Sequence, residues 1–127
     1  MLFLAATAQY NLPAGLLSAE CYVESHHKTN AVNLDDGKGG PSMGICQIKL
    51  GTARQVGFKG TAKQLMQPEN NIHYAAAYLA KQIKRYHGNL PKAIGAYNSG
   101  TFFLSKKGTP VNSIYIRKVL HSWEAGK

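Results

Sequence analysis

The chain has 127 residues, 44% of them hydrophobic, with Lys plus Arg at 15 against Asp plus Glu at 6, a formal charge of +9. That length suits one compact domain around one core, and the apolar content argues against disorder. The charge favours an anionic partner such as nucleic acid, an acidic membrane surface or an acidic polymer of the bacterial cell wall. The cations are scattered, however, with no run longer than a pair such as Lys106-Lys107, and no nucleic-acid motif accompanies them.

Leu2 to Tyr10 reads as a short helix ending near Asn11. Pro13 suits a first helical position, where its missing N–H is no loss, so a second helix is expected from Pro13 to Glu24. Leu17, Cys21 and Glu24 fall at i, i+4 and i+7, which carries the apolar stripe of that helix into an acidic residue. Ser25 to Ser42 is rich in Gly, Asn and Asp and reads as a loop with little room for regular structure. Its length is unusual for a connection in a compact domain, and long ordered loops are often functional. Met43 to Ile48 fits a short strand or extended segment.

Thr52 is a plausible N-cap for a short helix through Val56 that Gly57 closes. Pro68 to His87 is the clearest helix. Pro68 and Glu69 open it, Lys84, Arg85 and His87 close it, and Gly88 suits the position just past its end. Ile72, Ala75, Ala76, Leu79, Ile83 and Tyr86 form its apolar face. Pro91 to Tyr97 makes another short helix. A last helix from about Pro110 to Trp123 would bury Val111, Ile114, Val119, Leu120 and Trp123. With few strand signals and no internal repeat, the fold class is mainly α, with at most a short β-like segment, and residues 1–127 read as one domain.

No apolar stretch reaches the length of a membrane span. Met1 to Thr7 lacks a basic lead and is short for a signal peptide. Cys21 and Cys46 do not make a metal-site spacing. Two small buried thiols are the favoured reading, with one disulfide possible in an oxidising compartment. No cofactor or metal is expected.

Glu24 carries the most chemistry. Burial, the negative end of its helix dipole and Glu20 one turn earlier would all disfavour its charged form. A carboxyl so placed could donate a proton to a leaving oxygen near neutral pH. Taken alone, it also reads as an ordinary surface glutamate at a helix end. His26 and His27 follow directly and read as solvated loop histidines more readily than as a substrate wall.

The wider pattern gives Glu24 a context. Glu24-Ser25, then Ser42-x-Gly44-Ile45-Cys46-Gln47-Ile48, then Ala96-Tyr97-Asn98-Ser99-Gly100, then Tyr115-Ile116 with Val119 resembles the soluble lytic transglycosylase domain, a goose-lysozyme-like family. Tyr10-Asn11-Leu12-Pro13 is similar to the family's lead into its catalytic helix, and Asn71-Ile72 with Tyr78-Leu79 to its long central helix. The likeness runs over nearly the whole chain in family order.

The resemblance implies a lysozyme-like α-helical domain with a glycan groove, Glu24 as sole acid/base, and Ser42, Gly44, Ile45, Gln47, Tyr97, Asn98 and Tyr115 around the substrate. Amides, hydroxyls and aromatic faces are the groups a sugar groove needs. Cys46 and Met43 depart from the family pattern, which leaves groove shape open more than chemistry. The implied reaction cuts peptidoglycan between N-acetylmuramic acid and N-acetylglucosamine and leaves a 1,6-anhydro end. The expected partner is the glycan strand, with no nucleic acid and no membrane span, and the protein is expected to be a monomer in the periplasm, at the cell wall or on a virion. Two rival readings stand beside it. One is a lysozyme-type hydrolase that adds Asp35 or Asp36 to Glu24, and the other is a non-catalytic basic module that binds glycan.

Overall fold

The computed structural model describes residues 2–34 and 39–126; Asp35 and Asp36 lie outside the described residues. Helices dominate: α1 (Leu2–Gln9), α2 (Leu16–Ser25), α3 (Leu50–Gln55), α4 (Ala62–Leu65), α5 (Pro68–Arg85), α6 (Leu90–Ser99) and α7 (Ser113–Ala125). Three two-residue strands, β1 (Val32–Asn33), β2 (Ser42–Met43) and β3 (Ile48–Lys49), form an antiparallel sheet in the order β1-β2-β3. Met43 faces Val32 on one side and Ile48 on the other.

The mainly helical class holds, and several boundaries move. Helix α2 begins at Leu16 rather than Pro13, because Gly15 takes a left-handed φ of 80° and sets the chain's entry angle. Helix α3 begins at Leu50, two residues before the expected cap at Thr52. The loop after Ser25 contains strand β1, and the segment from Met43 to Ile48 is two strands around a tight turn instead of one. Helix α4 has a reciprocal cap: the Thr61 hydroxyl accepts from Gln64 N, and Gln64 Oε1 accepts from Thr61 N.

The long helix α5 is central. Its expected face is buried at Ile72, Ala75, Ala76 and Leu79, and it packs against α6, α1, α3 and α4. Helix α2 runs along α7 and buries Leu16, Leu17 and Cys21. The last helix departs most from expectation. Ile116 and Val119 point inward, while Val111 and Ile114 are 57% and 62% exposed. The helix starts at Ser113, so Val111 lies outside it, and Ile114 falls on the side of the first turn away from Ile116 and Val119.

Asn71 on α5 is completely buried, and its carboxamide joins the Met43–Gln47 turn to the end of α4. Its Nδ2 donates to Met43 O and Leu65 O, each at 2.9 Å, and its Oδ1 accepts from Cys46 N at 2.8 Å. Gly44 sits against that carboxamide with φ +83°, and a Cβ there would overlap the Asn71 side chain.

The two cysteines are bonded to each other, not free thiols: Cys21 on α2 is joined to Cys46 in the turn, and both are fully buried. Spacing alone could not distinguish the two states, because each is compatible with burial. The bond closes a loop of 25 residues, which by loop-closure entropy stabilises the fold by about 3–4 kcal/mol. A Cys21→Ala, Cys46→Ala double variant should therefore melt lower by on the order of 10–15 °C. An unchanged thermal midpoint would contradict the bond.

Glu20, one turn before Glu24, is completely buried, and neither carboxyl oxygen has a hydrogen-bond partner. Burial, and secondarily the negative charge of Glu24, holds its pKa well above the ordinary glutamate value near 4.5. The folded state therefore keeps the proton longer than the unfolded chain. Stability from this group is fully present below about pH 4.5, falls as pH rises above it, and levels off past the folded pKa. A Glu20→Met variant should gain on the wild type as pH rises from 4, at up to about 1.4 kcal/mol per pH unit. Denaturant melts across pH 4–8 read this directly, and a difference independent of pH would refute it.

Candidate active site

The end of α2, the Met43–Gln47 turn, β3, α3 and the end of α6 enclose a cavity of about 490 Å³. Glu24, Ser42, Gln47, Tyr97 and Asn98 line it, together with Tyr78, Lys49 and Thr52. Glu24 is the one carboxylate among the described residues in that lining.

Glu24 is half-buried in the last turn of α2. Its Oε2 accepts a 2.7 Å hydrogen bond from the Tyr115 hydroxyl on α7. The Tyr115 pKa is pushed well above 10.0, first by burial and then by the negative charges of Glu20 and Glu24. The phenol therefore stays a donor, and its bond to a carboxylate is of the strong, charge-assisted kind. The α2–α7 packing brings these residues together across 91 positions of sequence.

The turn is fastened to α2 a second time by Ser25, whose Oγ donates to Ile45 O at 2.6 Å. From the other side, the Tyr97 hydroxyl donates to Cys46 O at 2.8 Å. Burial, and then Glu24, raises the Tyr97 pKa well above 10.0, so this phenol too keeps its proton. Gln47 has a left-handed φ of 50°, a costly conformation for a residue with a side chain. Its own amide offsets the strain, because Nε2 donates to Gly44 O at 2.9 Å and to Ala31 O at 3.0 Å.

The residues singled out in the sequence therefore divide by position. Ser42, Gln47, Tyr97 and Asn98 share the cavity with Glu24. Tyr115 meets the Glu24 carboxylate, and Gly44 and Ile45 form the turn behind the cavity wall. His26 and His27 are exposed and sit outside the lining; His27 Nε2 pairs with Ser18 O at 2.9 Å. Three contributors escaped the sequence reading. Asn71 was visible only as part of a helix, and nothing in its neighbourhood announced a buried clamp. Tyr78 lies 5.5 Å from Tyr97, ring centre to ring centre. Lys49 stands on β3, one residue past the segment that read as extended chain.

Comparison with known proteins agrees with this geometry. The family model described as the transglycosylase SLT domain matches residues 1–119. Protein IpgF of Shigella flexneri is 34% identical over 104 residues, which is 80% of this chain and 67% of that protein, and IpgF of Shigella sonnei matches to the same extent. An inactive Glu-to-Gln mutant of lytic transglycosylase Slt from Pseudomonas aeruginosa superposes with a TM-score of 0.77 at 20% identity, over 95% of this chain and 22% of that one. The 70-kDa soluble lytic transglycosylase in complex with bulgecin A gives 0.69 at 22% identity, over 97% and 18%. The chain thus spans about a fifth of the length of those two enzymes. It belongs to the transglycosylase SLT domain family, and its fold is that of the peptidoglycan lytic transglycosylases.

Proposed function

We propose that the protein cleaves the β-1,4 bond between N-acetylmuramic acid and N-acetylglucosamine in peptidoglycan, as a lytic transglycosylase with Glu24 as its sole acid/base. The observation that carries this reading is a single carboxylate among the described residues of the cavity wall, with the Tyr115 hydroxyl donating to it. Glycoside hydrolysis usually takes two carboxylates at set separations. A transglycosylase does not need the second, because the nucleophile is the substrate's own hydroxyl. The inactive Glu-to-Gln form of the Pseudomonas enzyme is further support for one essential glutamate in this fold.

In the proposed reaction Glu24 starts protonated and gives its proton to the glycosidic oxygen as the C1–O bond breaks. The muramyl 6-hydroxyl then attacks C1 and returns its proton to Glu24. Atoms balance without water, and the products are a free 4-hydroxyl and a 1,6-anhydro end. Tyr115 donates to the carboxylate throughout and favours the charged intermediate stage. With the Gln47 amide nitrogen committed to backbone carbonyls, its carbonyl oxygen is what a sugar N–H or O–H would meet. Asp35 and Asp36 have no assigned role in this scheme. The buried Cys21–Cys46 bond fits an oxidising setting such as the periplasm or cell wall.

The test is a pair of substitutions. Glu24→Gln should lower turnover on purified peptidoglycan by at least about 10²–10⁴-fold, with the melting temperature little changed. Tyr115→Phe should lower it by a smaller factor, about 10- to 100-fold, the worth of one charge-assisted bond. Near-normal turnover in Glu24→Gln would end this reading and leave a glycan-binding module in its place.

A further inference from the structure

Residues 101–112 leave the groove edge as a two-legged finger. Leu104 pairs with Pro110 as an antiparallel bridge, Val111 N donates to Phe103 O at 3.0 Å, and Ser105 N donates to Thr109 O at 2.7 Å. Side chains alternate across such a ribbon. Phe102 turns inward and packs against the core near Tyr86. Phe103 and its cross-strand neighbour Val111 turn outward, 51% and 57% exposed, with Leu104 at 58% and Ile114 at 62% nearby.

The base of the finger is braced. Arg85 donates to Gly100 O at 3.1 Å and to the Thr101 hydroxyl at 3.2 Å, while Phe102 N donates to the Tyr86 hydroxyl at 2.9 Å. Asn112 Nδ2 ties the other leg to Gly95 O at 2.9 Å. The apolar side chains are thus held in water on a fixed frame, and a cluster of this kind marks an interaction surface.

Charge identifies the other party. Lys106 and Lys107 cap the finger, and Arg117 and Lys118 follow on α7. From residue 70 to residue 123 the chain carries eight Lys and Arg, all exposed, and no Asp or Glu. The finger itself carries two exposed lysines and no carboxylate, and cations beside exposed apolar side chains match an anionic layer with hydrocarbon just beneath it. We propose that the 101–112 finger docks the protein on an anionic lipid bilayer, inserting Phe103 and Val111 at headgroup depth while Lys106 and Lys107 pair with lipid phosphates. This is surface association: no described helix is long and apolar enough to cross a membrane. Because Gly100 both lines the cavity and begins the finger, docking would hold the groove close to the membrane.

The test is flotation with vesicles of phosphatidylglycerol and phosphatidylcholine against vesicles of phosphatidylcholine alone. It involves no catalysis, so its outcome is independent of the proposed reaction. Binding should require phosphatidylglycerol and weaken as salt rises past about 0.15 M. The pairs Phe103→Ser with Val111→Ser, and Lys106→Glu with Lys107→Glu, should each lower partitioning by about ten-fold or more, with turnover of soluble glycan fragments unchanged. The same charge change made elsewhere, Lys59→Glu with Lys63→Glu, should have much less effect. The proposal is overturned by vesicle binding that ignores lipid charge, by equal loss in the Lys59 and Lys63 variant, by full binding in the Phe103 and Val111 variant, or by no vesicle binding with the finger captured by a protein instead.

Discussion

The Asn71 carboxamide anchors the site. It is buried on the central helix, holds the Met43–Gln47 turn through two hydrogen bonds and ties it to the end of α4 through a third, to Leu65 O. That turn is where the Cys21 bond, the Ser25 hydroxyl and the Tyr97 hydroxyl all converge. Two of these three come from α2, the helix that carries Glu24, so the depth of the proposed acid in its cavity is set by how the turn is held. A buried amide with unmade bonds would be costly, which makes the arrangement close to all-or-none. Gly44 is part of the same constraint, because the backbone must approach the Asn71 side chain more closely than any Cβ permits.

Around this anchor the carboxyl groups are treated differently. Glu24 shares the cavity with polar groups and receives a phenol hydrogen bond, whereas Glu20 is sealed in the core without a partner. Burial holds the Glu20 pKa well above the ordinary glutamate value. Two carboxyls one turn apart thus sit in different surroundings, one facing the cavity and one sealed in the core. A buried neutral carboxyl without partners lowers fold stability, and the disulfide a residue away works in the opposite direction.

Much of this was legible in the sequence, and the parts that were not share a physical reason. The face of α5 follows from the spacing of Ile72, Ala75, Ala76 and Leu79, because a long helix against a core repeats one local rule. Ser42, Gln47, Tyr97 and Asn98 meet in one cavity with Glu24, residues that the motif pattern had grouped. The Glu24–Tyr115 contact spans the α2–α7 packing, and no local rule foretells it. Asn71 was hidden because an asparagine inside a helix carries no sign of what lies beyond its side chain. Val111 and Ile114 were expected in the core on apolarity alone, but periodicity cannot tell a buried face from an apolar face left in solvent. The cysteine pairing likewise depended on two segments meeting in space.

The central claim is that one carboxylate suffices because the substrate supplies its own nucleophile. Mass spectrometry of muropeptides released from purified sacculi tests it most directly, since anhydro and reducing ends differ by one water. Products with 1,6-anhydro-muramyl ends, and no incorporation of ¹⁸O from labelled water, are the expected result. Reducing muramic acid ends that carry the label would contradict it and place a water, and a residue to activate it, at the centre of the reaction.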